Sequence, residues 1–147
     1  MVRYADDFVI LCRSQAEAER ALEEVRHWTE QAGLTLHSTK TRIVDATRKG
    51  GFDFLGYHFA RGMRWPRAQS RTKLKTTIRA KTQRSNGQSL RQIIANVNKT
   101  LTGWFVYFQH SHKTAFPGLD QWVRMRLRSI LRRRRKGRGS TARNQST

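Results

Sequence analysis

The chain is nearly without acid over its second part. Of 10 Asp plus Glu in 147 residues, 9 fall in residues 1–60, leaving Asp120 alone in residues 61–147. Cysteine is almost absent too: Cys12 is the only one, which excludes an internal disulfide and a cysteine-based zinc site and fits a reducing cytosol. No apolar run is longer than the five residues of Phe8-Val9-Ile10-Leu11-Cys12, far short of the roughly 20 residues that a membrane helix needs. With Arg3, Asp6 and Asp7 among the first residues, no secretory signal sequence is expected. Proline occurs only at 66 and 117, and no internal repeat is found.

What is abundant is positive charge. Lys plus Arg number 30, for a formal net charge of +20. Residues 1–60 hold 8 basic and 9 acidic side chains, net −1, and residues 61–147 hold the other 22 basic residues and one acid, net +21. A nearly neutral part is thus joined to a part built for a polyanion. Nucleic acid is the leading candidate and an anionic membrane surface the weaker one. Four Trp, seven Phe and three Tyr are too many for a disordered basic chain, so most of it is expected to fold, around one modest core.

The pattern predicts an α+β protein. Val2–Ala5 and Phe8–Cys12 read as a β-hairpin with Asp6-Asp7 between the strands. Ser14-x-x-Glu17 is a capping box opening a helix that carries Ala18, Ala21, Leu22, Val25, Trp28 and Ala32 on one face, with Gly33 as its stop. Leu34–His37 and Ile43-Val44 read as short strands, and Phe52–Phe59 as a longer one with Gly56 in its middle. Residues 1–60 therefore read β-β-α-β-β-β. A loop holding Arg61, Arg64, Pro66, Arg67 and Arg71 follows, then a basic helix over 72–84. Leu90, Ile93, Ile94, Val97, Leu101, Trp104, Phe105 and Phe108 trace one face of a long helix. Leu119, Trp122, Val123, Leu127, Ile130 and Leu131 trace a last one, running into Arg132–Lys136, and residues 137–147 read as a disordered basic tail.

Adjacent carboxylates at a hairpin tip are poor turn chemistry, since two-residue hairpins favour Asn-Gly or Asp-Gly and neighbouring Asp side chains repel. Asp6-Asp7 is either a divalent-metal site or a solvated turn. On the last helix Arg124, Arg128, Arg132 and Arg135 fall opposite the apolar face, with no acid expected nearby for pairing, and arginine's planar fork suits phosphate oxygens. Lys73, Lys75, Arg79 and Lys81 form a second basic patch. Arg126 lies within the apolar face, where a helix–helix hydrogen bond competes with a ligand contact. His110-x-His112 lacks a third metal ligand, and Trp104, Phe105, Tyr107 and Phe108 have the spacing of core residues rather than of a base-stacking platform.

Tyr4-Ala5-Asp6-Asp7 resembles the YADD box of reverse transcriptases. The blocks that follow strengthen the likeness. Gly33-Leu34-Thr35-Leu36, Lys40-Thr41-Arg42-Ile43 and Phe52-Asp53-Phe54-Leu55-Gly56-Tyr57 resemble the next blocks of that family, the last its primer grip. Leu101-Thr102-Gly103-Trp104, Tyr107-Phe108 and Leu119–Arg124 with Arg126-Leu127-Arg128 resemble the maturase domain of group II intron proteins. The resemblance spans residues 2 to about 135 and implies the end of a reverse-transcriptase palm over 1–60, a thumb and maturase-specific helical domain over 61–136 and a basic tail over 137–147.

It further implies that Asp6 and Asp7 are palm carboxylates, Asp6 first as a direct Mg²⁺ ligand, in a site where two Mg²⁺ ions bridge primer oxygen and nucleotide phosphates. Lys40 would face the leaving pyrophosphate, Leu55, Gly56 and Tyr57 would hold the primer, and Arg71, Lys73, Lys75, Arg79, Lys81 and the arginine stripe would bind RNA. The implied partners are group II intron RNA, a DNA primer or target, and a separate chain supplying fingers and palm; the implied compartment is the cytoplasm. Thr39 stands where the family often has Glu, and His37 where a smaller polar residue is usual. The family's third catalytic carboxylate lies upstream of the hairpin, so residues 1–147 alone are not expected to polymerise. The remaining alternatives are an RNA-binding splicing cofactor only, or a truncated remnant.

Overall fold

The computed structural model describes residues 1–83 and 87–143, with side chains described as far as Arg135. The fold is α+β, as the pattern predicts: two small antiparallel sheets and four helices. Strands β1 (Val2–Tyr4) and β2 (Asp7–Val9) form the first hairpin, with Tyr4 opposite Asp7. Its two-residue turn is therefore Ala5-Asp6 rather than Asp6-Asp7, and Ala5 takes a left-handed φ of 52°.

Helix α1 (Gln15–Gln31) starts at the expected cap, where the Ser14 hydroxyl accepts from the Glu17 amide at 3.2 Å. The reciprocal half of the box is displaced by one residue: the Glu17 carboxylate accepts from the Arg13 amide at 2.8 Å, not from that of Ser14. Either way a backbone donor ahead of the first turn is satisfied. Ala18, Ala21, Leu22 and Val25 are half-buried, whereas Trp28 is 62% exposed.

Two expectations for the next segment are corrected. Leu34–His37 and Ile43-Val44 form no strand. Alternation makes a strand only where a second backbone supplies the ladder, and here Leu34 and Ile43 stay exposed in irregular chain. Phe52–Phe59 is not one strand but a hairpin of β3 (Phe52–Phe54) and β4 (Tyr57–Ala60). Leu55 and Gly56 turn it with φ of 47° and 80°, the doubly left-handed pattern that matches strand twist.

The supposed loop after residue 60 contains β5 (Met63–Pro66), which completes a β3-β4-β5 sheet through a second such turn at Arg61-Gly62, φ 52° and 69°. Pro66 sits on an edge strand, where its missing N–H removes no ladder bond. The 60/61 boundary between the two expected units thus falls inside a hairpin.

Helix α2 (Ala68–Lys81) begins four residues ahead of the expected start, and residue 84, the last of the expected span, lies outside the described residues. Ser89 caps α3 (Leu90–Phe108), its hydroxyl accepting from the Gln92 amide at 3.2 Å. A 3₁₀ turn over Lys113–Ala115 leads into α4 (Pro117–Arg143), which opens on proline, the residue whose absent N–H costs least at the first helical position. The helix continues past residue 136, where a disordered tail was expected, to Arg143; residues 144–147 lie outside the described residues.

The core lies where α2, α3 and α4 meet: Leu74 and Ile78, Ile93 and Val97, Val123 and Ile130, flanked by Leu101, Trp104 and Leu127. Burial of each such aliphatic side chain stabilises the fold by about 1.5–3 kcal/mol. By contrast, Thr29 is the only buried residue among residues 1–50. No helix among the described residues is long and apolar enough to cross a membrane.

Candidate nucleic-acid interface and palm residues

The hairpin β1-β2 carries the paired carboxylates. Asp6 is the second turn residue, Asp7 opens β2, and both are exposed. Their oxygens are the hard donors that Mg²⁺ takes. Yet among the described residues no group of three or more His, Cys, Asp or Glu is placed to hold a metal. Lys40 ends a turn over 38–40, its amide bonded to the His37 carbonyl at 3.2 Å and its side chain exposed.

The Leu55-Gly56-Tyr57 segment is pinned from three sides. The Gly56 carbonyl accepts from the Arg67 amide at 2.9 Å and from the Ser70 hydroxyl at 3.2 Å, tying the turn to the start of α2. The Leu55 carbonyl accepts from the Tyr107 hydroxyl at 2.7 Å, and the Tyr57 hydroxyl donates to the Tyr107 carbonyl, so two tyrosines cross-brace the turn to the end of α3. Their rings stack at 5.8 Å, and Phe108 packs beneath, 4.9 Å from the Tyr57 ring centroid. Burial pushes the Tyr57 phenol above its ordinary 10.0, against the opposing pull of the Arg64 cation. The glycine expected to allow close approach within a strand is instead needed for its left-handed φ.

Arg64 repeats the bracing one strand further on. Its Nε donates to the His110 carbonyl at 2.7 Å, and its own carbonyl accepts from the His112 amide at 2.8 Å. His110-x-His112 is therefore a backbone anchor; the His112 ring nitrogen Nδ1 lies 2.8 Å from the Thr114 hydroxyl. The aromatic residues of α3 divide. Phe108 is buried and Trp104 packs on it at 4.6 Å, while Phe105 and Tyr107 are half exposed.

On α4, Arg124, Arg128, Arg132 and Arg135 are all exposed, on the side away from Val123, Leu127 and Ile130. One expectation fails: Asp120, one turn before Arg124, pairs with it at 2.9 Å, the (i, i+4) geometry of an exposed helix pair worth about 0.3–0.5 kcal/mol. Arg128, Arg132 and Arg135 carry the rest of the stripe.

Arg126 makes the helix–helix bond that its place in the apolar face suggests. Its Nε donates to the Thr82 hydroxyl at 2.7 Å and its Nη2 to the Thr82 carbonyl at 3.4 Å. Arg71, Lys73, Lys75, Arg79 and Lys81 all stand on α2. They are not one patch: Lys75 and Arg79, one turn apart, both lie over the Trp122 ring of α4, at 5.6 and 5.5 Å from its centroid, while Lys73 falls on another side of the helix. Trp122 as their shared platform is the feature the sequence does not announce, because the contact joins residues more than forty positions apart.

Paired carboxylates on one hairpin and a row of exposed arginines along α4 are side chains suited to magnesium and to phosphate. Residues 1–59 match the model of the reverse transcriptase (RNA-dependent DNA polymerase) family, and residues 71–146 match that of the group II intron maturase-specific domain. With the second match covering more than half of its length, the chain belongs to the group II intron reverse transcriptase/maturase family. A comparison with curated proteins finds no match.

Proposed function

We propose that the helical part binds structured group II intron RNA, and that the palm residues take part in RNA-templated DNA synthesis once a further carboxylate is supplied from outside residues 1–147. One observation carries the RNA reading. Residues 61–147 hold 22 cations and one acid, that acid is already paired with Arg124, and Arg128, Arg132 and Arg135 remain exposed on a single side of α4. Structured RNA is recognised chiefly through phosphates, 2′-hydroxyls and shape. The contacts of Arg71, Lys73, Lys75, Arg79, Lys81 and the α4 stripe would accordingly set docking more than sequence.

In the palm reading, Asp6 and Asp7 contribute carboxylate ligands to Mg²⁺, which when bound would polarise the reacting phosphate. Lys40 neutralises charge at the departing pyrophosphate, and the braced Leu55-Gly56-Tyr57 turn positions a DNA primer. A rigid turn suits that task, because a fixed backbone loses little freedom when the primer docks. The remaining carboxylate comes from the same or a separate polypeptide, and the protein works in the cytoplasm. The match of residues 71–146 to the group II intron maturase-specific domain supports a second reading, a splicing cofactor that binds RNA without polymerising.

Two measurements test this. Binding of the chain to a transcribed group II intron RNA is expected to weaken steeply as salt rises, since each neutralised phosphate releases counterions; binding indifferent to salt refutes the RNA reading. Primer extension on an RNA template is expected only when the upstream palm half is supplied, and to vanish with Asp6→Asn. Activity retained by that variant would remove Asp6 from the metal site, and no activity under any mixture leaves the cofactor reading.

A further inference from the structure

Three cations converge on one indole. Lys75 Nζ lies 5.6 Å from the Trp122 ring centroid, and the Arg79 and Arg126 guanidinium carbons each lie 5.5 Å from it. They come from two helices, Lys75 and Arg79 from α2 and Arg126 from α4. Neither Lys75 nor Arg79 forms an ion pair among the described residues, and Asp120, the only acid after residue 60, is engaged by Arg124 at 2.9 Å. An aromatic face attracts cations through its quadrupole and so holds them against their mutual repulsion. It adds no negative charge. Lys75 and Arg79 are thus gathered on the ring without a carboxylate partner among the described residues.

We infer that the cation cluster over Trp122, where α2 meets α4, is a seat for an RNA backbone phosphate, with Lys75, Arg79 and Arg126 as its donors and Trp122 as the positioning residue that gathers them. This rests on the RNA-binding reading above and extends it to Arg126 and Trp122. The chemistry favours a phosphate. Guanidinium forks match its oxygens, and side chains ordered before binding lose less freedom on it. Arg126 is held in place by Thr82 at 2.7 Å, and Arg79 is exposed, so one donor is fixed and another is open to solvent. The plain alternative is that Lys75 and Arg79 merely lay their aliphatic stems over Trp122 and cement α2 to α4. That role predicts a change in stability and none in the ionic component of RNA binding.

The test titrates the full chain with a transcribed group II intron RNA between about 50 and 200 mM salt, for wild type, Trp122→Leu, Trp122→Phe, and Lys75→Gln/Arg79→Gln. Losing one phosphate contact lowers the slope of log affinity against log salt by about one, so the fourfold salt increase is expected to cost the variant about fourfold less affinity than wild type. W122L and K75Q/R79Q are each expected to show this. W122F, which keeps an aromatic face, is expected to retain the wild-type slope, and W122L to add nothing in the K75Q/R79Q background. An unchanged slope in W122L, or an additive loss in the combined variant, overturns the seat while leaving RNA binding intact. Should W122L not fold, W122F and K75Q/R79Q decide between them: a slope lowered in W122F as in K75Q/R79Q overturns the role of the indole. Wild type that does not bind the RNA overturns both readings, and competition by inorganic pyrophosphate as effective as that by RNA would assign the cluster to free phosphates instead.

Discussion

Thr82 offers a sharp test of how α2 is joined to α4. Its side chain is 1% exposed, its hydroxyl donates to the Ile78 carbonyl at 2.6 Å, and it accepts from Arg126 Nε at 2.7 Å. Thr82→Val keeps the shape and removes the hydroxyl, so no cavity term enters. A hydrogen bond to a charged group contributes about 1.5–3 kcal/mol. Arg126 is half-buried and keeps its Nη2 contact with the Thr82 carbonyl at 3.4 Å, so the lower end applies, about 1.5 kcal/mol. For a chain of this size that lowers the melting temperature by about 3–6 °C.

Arg126→Met removes the cation together with its need for an acceptor. The Thr82 hydroxyl still donates to Ile78, so the chief loss is the Trp122 contact, about 0.5–1 kcal/mol. In the Arg126→Met background the T82V cost is then expected to shrink by about 1 kcal/mol, the coupling energy of the pair. Urea unfolding of the four proteins reads it directly. A T82V cost that is the same in both backgrounds would refute the assignment of Arg126 to Thr82.

Two further outcomes follow from backbone and titration. Gly51→Ala is expected to destabilise well beyond Gly56→Ala in thermal melts: both sit at positive φ, which costs a side chain about 1–2 kcal/mol, but a Cβ at Gly51 would also run into the Phe59 carbonyl, whereas at Gly56 the nearest atoms are 3.5 Å away. The Tyr57 phenol, raised above 10.0 by burial, keeps its proton in the fold at a pH where the unfolded chain releases it. Its contribution is therefore whole below pH 10.0 and is lost as pH rises through the folded value; urea melts at about pH 9 and about pH 11 are expected to show a fall that Tyr57→Phe lacks.

The residues that announce themselves in the sequence are those whose partners lie within a turn or two. Ser14 and Glu17 mark the start of α1, and Ile93, Val97, Val123 and Ile130 repeat at helical spacing because one helix face is buried. The same local logic covers Ser89-x-x-Gln92, which caps α3, and Asp120 with Arg124, whose (i, i+4) spacing is equally readable and argues against a wholly unpaired stripe. Leu34–Val44 misleads because alternation specifies a face and not a partner strand. Leu55-Gly56 misleads for the opposite reason: leucine at φ 47° is poor turn chemistry, and it holds that conformation because Tyr107, 52 positions away, takes its carbonyl. The candidate site divides likewise. Asp6, Asp7 and the α4 arginines are legible as residue types, while the bracing of the grip turn and the Trp122 platform depend on contacts across the fold.

That division also explains where charge is tolerated. Like charges one turn apart on a helix destabilise it by about 0.2–0.5 kcal/mol per pair, and Arg124, Arg128 and Arg132 follow one another at that spacing with Asp120 offsetting only the first. The helix dipole favours cations in the last turn and gives no such help at Arg124 or Arg128. The stripe is held helical by the other face of α4, where Val123 and Ile130 are buried against α2 and α3 at a contribution several times larger. A core confined to three helices therefore supports an exposed row of cations that the nearly neutral first 60 residues, with a single buried residue before position 51, do not need and do not have. The repulsion along that row is a standing cost in the free protein, and a bound polyanion relieves it.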